Sequence, residues 1–136
     1  MNKLLFVYGT LLIADNEFAV YLKNNSSVLS SGKFKGKMYD IGTYPGVIPD
    51  PENKREVSGS VCQLNDPQEV FKILDEYEGF GDNQQQPYLF VRELLSIATP
   101  DGPVNCWVYL YNLSIDGLFE ITSGDYLTYL AQQKKR

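Results

Sequence analysis

Glu78 is the residue whose type and position best suit acid–base chemistry in this chain. It lies near the end of the run Leu74-Asp75-Glu76-Tyr77-Glu78-Gly79, where an amphipathic helix is predicted to stop at glycine. The end of a helix carries partial negative charge, and Tyr77 and Phe80 would partly remove water from the carboxyl group; both effects raise the pKa of a glutamate. Glu78 is therefore a candidate general acid/base. The alternative is an ordinary exposed glutamate near a helix end.

A second candidate feature is the turn Tyr8-Gly9-Thr10-Leu11, which follows a hydrophobic strand. Glycine lets the chain turn sharply and approach a ligand closely, and successive N–H groups in such a turn can bind an anion. The alternative is a common strand–Gly–Thr turn without a ligand. Similarly, Tyr44-Pro45-Gly46 is either a simple tight turn or part of the rim of the same pocket.

The chain contains no histidine, which restricts the chemistry available to it. Ser/His and Cys/His nucleophile pairs and the commonest zinc ligands are excluded. Acid–base chemistry near neutral pH then needs a carboxylate with a raised pKa, a lysine with a lowered one, or a tyrosine. We expect no catalytic metal and no cofactor.

Composition and charge indicate the class of protein. The 136 residues, 43% of them hydrophobic, are expected to form a single domain over residues 1–136. A net charge of −5 argues against nucleic acid or an acidic membrane surface as a partner, and no apolar stretch is long enough to span a bilayer. Cys62 and Cys106 are far apart and are interpreted as reduced thiols, so a cytoplasmic location is expected.

Hydrophobic periodicity predicts the elements that would position these residues. The expected strands are Leu4–Tyr8, Val28–Tyr39, Val57–Leu64, Tyr88–Ile97 and Val104–Tyr111. The expected helices are a short one around Phe18–Leu22 with Asp15 as its N-cap, one from Asp66 to Gly79, and one over Tyr126–Gln132 capped by Asp125. This order predicts an α+β fold, a strongly bent mixed sheet or small β-barrel flanked by two or three helices.

Some polar and aromatic residues have less specific interpretations. Asp75 and Glu76 precede Glu78 on the helix and are expected to be solvated. Trp107, Tyr109 and Tyr111 share one face of a strand, and such residues more often belong to the core than to a ligand wall.

These motifs together resemble the gamma-glutamylcyclotransferase-like superfamily, which includes AIG2-like proteins and gamma-glutamylamine cyclotransferases. The residues that carry the resemblance lie in family order along nearly the whole chain: Phe6-Val7-Tyr8-Gly9-Thr10-Leu11, Tyr44-Pro45-Gly46, Leu74-Asp75-Glu76-Tyr77-Glu78-Gly79, Tyr88, Val104–Tyr111 and Ser123-Gly124-Asp125-Tyr126. The family fold is a small mixed β-barrel with helices packed around it. The resemblance therefore implies the same architecture here.

The resemblance also implies a reaction and its residues. The substrate is a small molecule with a γ-glutamyl group, whose α-amine attacks its own γ-carbonyl to form 5-oxoproline. Glu78 matches the acid/base glutamate, the turn from Tyr8 to Leu11 matches the substrate-binding turn, and Tyr126 matches a tyrosine that lines the site in some relatives. The alternative function is a binding module that holds a small carboxylate or amino-acid-like ligand without turnover.

One position departs from the family pattern. Many relatives have an arginine two residues after the tyrosine that Tyr88 matches, whereas this chain has Phe90 there. The nearest arginine is Arg92.

Overall fold

The computed structural model describes residues 2–9, 17–42, 44–52, 54–81 and 86–134. Several expectations lie outside these residues, namely Asp15 as a helix cap and Thr10 and Leu11 in the glycine turn. Within the described part of the chain, no helix is long and apolar enough to cross a membrane.

Strands and helices follow one another in an order close to the predicted one. The strands are β1 (Leu4–Val7), β2 (Ser26–Asp40), β3 (Pro45–Pro49), β4 (Glu56–Leu64), β5 (Phe90–Thr99), β6 (Gly102–Tyr111) and β7 (Phe119–Glu120). The helices of the described residues are α1 (Glu17–Asn24), α2 (Pro67–Glu78) and α3 (Tyr126–Lys134).

Across the described residues, the sheet closes on itself as a small mixed barrel. Its strands run in the order β2-β4-β1-β6-β5, and β5 pairs again with β2 through Lys33 and Ala98. The β1–β6 pair is parallel and the other pairs around the ring are antiparallel. The predicted fold class, a small mixed β-barrel flanked by helices, is confirmed.

Strand β2 extends beyond the barrel and carries two short strands there. Its second half pairs with β3 and β7, both antiparallel. The interpretation of Tyr44-Pro45-Gly46 as a simple tight turn was wrong, because Pro45 and Gly46 lie in β3 opposite Asp40 and Tyr39. Proline is tolerated there because β3 is an edge strand.

Strand β1 separates two hydrophobic clusters, since successive side chains of a strand point to opposite faces. Phe6 packs inside the barrel with residues such as Val61 and Ile97. Leu5 and Val7 point outward into the cluster that contains Leu74 of α2. The helix thereby covers one wall of the barrel, and its C-terminal end lies near the C-terminal end of β1.

Helix α2 has local signals at both ends. Asp66 accepts a hydrogen bond from the backbone N–H of Glu69 at 3.3 Å, and Pro67 occupies the first turn. At the other end Gly79 adopts a left-handed conformation with φ of 76°. These features fix where the helix stops and therefore where Glu78 lies.

Candidate active site

The end of α2 places Glu78 at the last helical position. The backbone N–H of Phe80 donates to the carbonyl of Asp75 at 2.8 Å, and that of Gly79 donates to the carbonyl of Glu76 at 3.2 Å. This pair of bonds, closed by a left-handed glycine, is a Schellman motif. Because the chain reverses at Gly79, the Glu78 side chain is held at a defined end of the helix.

Glu78 lines a cavity of about 220 Å³ between the end of β1, the start of β3 and the end of α2. Four tyrosines and several apolar side chains form the rest of its wall. Among the described residues the lining comprises Leu5, Phe6, Val7, Tyr8, Gly9, Tyr44, Pro45, Tyr77, Leu89, Phe90 and Tyr109 beside Glu78. The cavity is concave, largely aromatic, and carries a carboxyl group, as small-molecule sites commonly do.

The electrostatic environment of Glu78 favours its neutral form. Burial, followed by the negative charge of Asp75, raises the pKa of Glu78 from 4.5 to about 7. The end of the helix dipole acts in the same direction. None of the described residues donates a hydrogen bond to the Glu78 carboxyl, so its oxygens are available to a ligand. A carboxyl with this pKa can both accept and return a proton near neutral pH.

The tyrosines of the cavity remain protonated under the same conditions. Burial first, and then the charge of Glu78, raises the pKa of Tyr8, Tyr44 and Tyr77. Burial and Asp75 raise the pKa of Tyr109 well above its ordinary value. Tyr8 and Tyr109 already donate their hydroxyl protons, to the Tyr109 carbonyl and to Asp75, so Tyr44 and Tyr77 are the described phenols that can donate to a ligand. Glu78 is the described lining residue suited to proton transfer.

Asp75 is not solvated, and the expectation that it would be was wrong. Arg92 donates to it twice, from Nε to Oδ1 at 2.9 Å and from Nη2 to Oδ2 at 3.1 Å. Tyr109 donates from its hydroxyl to Oδ1 at 2.7 Å. The pattern contained a partial signal, because Asp75 lies four residues after Phe71 and three before Glu78, on the face of α2 that packs against the barrel.

The structure brings together some of the predicted site residues. Tyr8, Gly9, Tyr44 and Pro45 line the same cavity as Glu78. Gly9 is not in the left-handed region, so its requirement for glycine is one of space: a Cβ there would lie 3.2 Å from Cγ of Pro45. The proposed anion-binding amides of Thr10 and Leu11 lie outside the described residues.

Three other predicted site residues lie away from the described lining of this cavity. Gly46 is covered by the ring of Tyr111, which a Cβ at Gly46 would meet at 3.0 Å. Tyr88 packs edge-on against Phe80, with ring centroids 5.2 Å apart. Tyr126 is buried in the interior cluster of the barrel. Whether any of the three contacts a ligand stays a prediction.

Within the described part of the chain, no three Cys, Asp or Glu side chains cluster as metal ligands would. Sequence reasoning missed Tyr109 as a cavity residue, because it interpreted the stripe Trp107, Tyr109 and Tyr111 as core. Tyr109 is indeed a buried member of the cluster beneath α2, and Trp107 and Tyr111 are partly buried and pack against that cluster. Tyr109 differs from the other two because it also lines the cavity.

Comparison with known proteins supports one family. The family model described as "Gamma-glutamyl cyclotransferase, AIG2-like" matches residues 5–128. The gamma-glutamylcyclotransferase family protein YtfP of Escherichia coli K12 is 28% identical over 130 residues, covering 90% of this chain and 95% of YtfP. A putative gamma-glutamylcyclotransferase of Vibrio cholerae is 30% identical over 130 residues, covering 93% of this chain and 96% of that protein.

Solved structures agree with this result at the level of the fold. The solution structure of Escherichia coli YtfP superimposes with a TM-score of 0.67 at 27% identity, over 93% of this chain and 97% of that one. An AIG2-like protein of Mus musculus gives a TM-score of 0.70 at 19% identity, over 91% and 87% of the two chains. The chain therefore belongs to the gamma-glutamyl cyclotransferase, AIG2-like family.

Proposed function

We propose that this protein is a γ-glutamyl cyclotransferase that forms 5-oxoproline from a γ-glutamyl amine or amide and releases the amine. Membership of the family supports a gamma-glutamylcyclotransferase-like function. The observation that carries the specific reaction is Glu78, a half-buried carboxyl group with a pKa of about 7, in a cavity bordered by the end of β1.

The reaction begins with a proton transfer from the substrate to Glu78. The α-amine of the γ-glutamyl group is protonated at neutral pH and cannot attack as an ammonium ion. The Glu78 carboxylate accepts one proton, and the free amine attacks the γ-carbonyl carbon to form the C–N bond of a five-membered ring. Nucleophile and carbonyl belong to one molecule, so binding the folded substrate supplies the required proximity.

The second proton transfer releases the product. The tetrahedral intermediate breaks the bond between the γ-carbon and the leaving nitrogen, and the Glu78 carboxylic acid protonates that nitrogen. The carbonyl of 5-oxoproline re-forms, the amine departs, and a further proton from the ring nitrogen passes to solvent. Glu78 thus ends the cycle in the carboxylate form in which it began.

The cavity suits a γ-glutamyl group in charge and in shape. Among the described residues that line the cavity, Glu78 is the charged one, and its carboxylate would attract the substrate ammonium. Tyr44 and Tyr77 line the same space, and an aromatic ring whose face meets the ammonium would favour it further. We propose that Tyr8, Gly9, Tyr44 and Pro45 contact the substrate, and that the turn continuing through Thr10 and Leu11 binds its carboxylate through backbone amides.

The direct test is an assay of 5-oxoproline with a panel of γ-glutamyl amines and γ-glutamyl dipeptides. Glu78→Gln keeps the shape of the side chain but cannot accept the proton, so kcat/KM should fall at least about 100-fold. Glu76→Gln, an exposed position on the same helix, is the matched control and should keep wild-type activity. Full activity in Glu78→Gln would contradict the mechanism.

The pH dependence follows from the same carboxyl group. Glu78 must be ionised to act as the base, so kcat/KM should rise as the pH increases through about 7 and fall again only when the substrate amine loses its proton. Stabilisation of the protein by γ-glutamyl compounds in a thermal shift assay, with no product from any of them, would instead favour the binding module.

A further inference from the structure

Arg92 is a largely buried cation that is not among the described residues lining the cavity, and its surroundings are unusual. Its guanidinium carbon lies 4.0 Å from the ring centroid of Phe71 and 4.5 Å from that of Trp107. Its side chain is only 12% exposed and that of Asp75 only 20%. The planar group is therefore held in one orientation, with both bonds to Asp75 fixed by the packing of two aromatic rings.

Stability alone does not account for this ion pair. Buried pairs are often no more stabilising than apolar residues of the same volume, because both charges lose their hydration. Moreover, Nη1 of Arg92 is buried without a hydrogen-bond partner among the described residues, which adds a further cost. An ion pair whose charges lose their hydration and that lies beside a cavity is a candidate for a functional role.

A continuous set of contacts connects Arg92 to the cavity. Arg92 and Tyr109 are direct neighbours on β5 and β6, and both bind Asp75. Tyr109 itself lines the cavity, and its backbone carbonyl accepts a hydrogen bond from the hydroxyl of Tyr8 at the end of β1. Asp75 is therefore the point at which the last turn of α2 is attached to the barrel.

We propose that Arg92, Asp75 and Tyr109 form a positioning unit for Glu78, which fixes the last turn of α2 against the barrel and places a carboxylate three residues before the acid. The inference rests on the proposed function of Glu78. Arg92 binds the Asp75 carboxylate through two hydrogen bonds, Asp75 anchors the helix turn, and Tyr109 connects the carboxylate to the cavity wall.

Among the described residues, five charged or titratable groups surround Glu78. They are Asp75 and Tyr77 on its own helix, Tyr8 at the end of β1, Tyr44 before β3, and Tyr109 on β6. The four tyrosines are neutral near pH 7, because their pKa values are raised. Asp75 is thus the described neighbour whose charge can influence the protonation of Glu78 in this range.

The first test is a ¹³C NMR titration of the Glu78 carboxyl group in the ligand-free protein. Asp75→Asn should lower the midpoint by about one pH unit, because a like charge next to the acid has been removed. Glu56→Gln removes a carboxylate from an exposed pair with Lys33, 3.4 Å apart, and should leave the midpoint unchanged. An unchanged midpoint in folded Asp75→Asn would overturn the proposal.

Asp75→Asn leaves the Arg92 charge buried without its partner, so this variant has a risk of unfolding. The double variant Asp75→Asn with Arg92→Met removes both charges at once and should fold. Its Glu78 midpoint is expected to fall as well. A midpoint equal to that of the wild type in this variant would also count against the unit.

The second test separates positioning from simple stabilisation. Arg92→Lys keeps the positive charge but loses the bidentate hydrogen bonding to Asp75. Tyr109→Phe loses only the hydrogen bond from the hydroxyl to Asp75. Each should lower kcat about tenfold while KM changes less than twofold. If both variants lower the melting temperature yet keep kcat, the unit is structural only and the proposal fails.

The two tests distinguish this inference from the proposed function. The NMR midpoint requires no substrate, so it reports on the Asp75 charge even if no γ-glutamyl compound is converted. Absence of turnover with a shifted midpoint would contradict the cyclotransferase assignment alone. Turnover with an unshifted midpoint would contradict the positioning unit alone.

Discussion

At the scale of single residues, the environment of Glu78 gives an ordinary carboxyl group a pKa suited to proton transfer near pH 7. The chain has no histidine, so the group that titrates near pH 7 has to be made from another residue type. Burial and the neighbouring Asp75 raise the pKa of Glu78 to about 7. The same environment has a cost, since the charged form of a partly buried carboxyl group destabilises the folded state.

That cost predicts a stability change with pH. Below pH 4.5 Glu78 is neutral in both the folded and the unfolded chain, and no penalty exists. As the pH rises from 4.5 to about 7 the unfolded chain loses the proton first, so the wild type loses stability; above 7 the loss is complete. Glu78→Gln lacks this penalty and should become more stable than the wild type by about 2 kcal/mol more at pH 8 than at pH 5.5.

Urea denaturation at the two pH values measures this difference. Glu76→Gln serves as the control, because Glu76 is exposed on the same helix. Its stability relative to the wild type should change little between pH 5.5 and pH 8. A Glu78→Gln difference that is equally flat would mean that the folded-state pKa of Glu78 is ordinary.

The contacts of single residues also show what could not be predicted from the sequence. Glu78 was identified from local signals, a predicted helix end and two aromatic neighbours. The partnership of Asp75 with Arg92 and Tyr109 joins residues 17 and 34 positions apart, and helix periodicity carries no information about which strand faces the helix. Asp75 was therefore expected in solvent, although its helix face indicated otherwise.

At the scale of elements, α2 was predicted well because its signals are local. An N-cap aspartate, a proline in the first turn, a hydrophobic stripe and a glycine stop all lie within the helix or next to it. Strand β3 was missed for the opposite reason. Pro45–Pro49 has a proline at each end, and it becomes a strand only through pairing with the distant second half of β2.

The glycine that ends α2 leads to a prediction at the scale of elements. Gly79 has φ of 76°, so Gly79→Ala should cost about 1 kcal/mol and disturb the last turn that holds Glu78. Gly117 is the matched control, with φ of 79° and no atom within 4 Å of its added Cβ. Both variants should lose similar stability in urea, but only Gly79→Ala should lose 5-oxoproline formation, by roughly tenfold.

Equal activity in the two glycine variants would contradict this reasoning. It would show that the left-handed residue ends the helix without fixing the position of the acid. The Glu78 midpoint in Gly79→Ala supplies a second measurement, since a displaced turn changes the burial of the carboxyl group.

At the scale of the whole molecule, closure of the barrel depends on close approach of its strands. Gly32 of β2 and Gly59 of β4 are direct partners. A Cβ at Gly59 would lie 2.3 Å from the carbonyl oxygen of Val7, and one at Gly32 would lie 2.6 Å from Cγ2 of Ile97. The barrel was predicted from hydrophobic periodicity. The close approach of its strands depends on glycine at these two positions.

Gly32→Ala is therefore expected to destabilise the barrel, since its methyl group overlaps the buried side chain of Ile97 where β2 and β5 meet. The cost should be roughly 1–3 kcal/mol in urea denaturation, as for other overpacked cores. Ser31→Ala, at an exposed adjacent position, should change the stability by less than about 0.5 kcal/mol. Ile97→Ala removes the atom that clashes, so the double variant should cost less than the sum of the single ones by at least about 0.5 kcal/mol. Additive costs would show that the overlap is relieved by backbone movement and that barrel closure does not depend on glycine at this position.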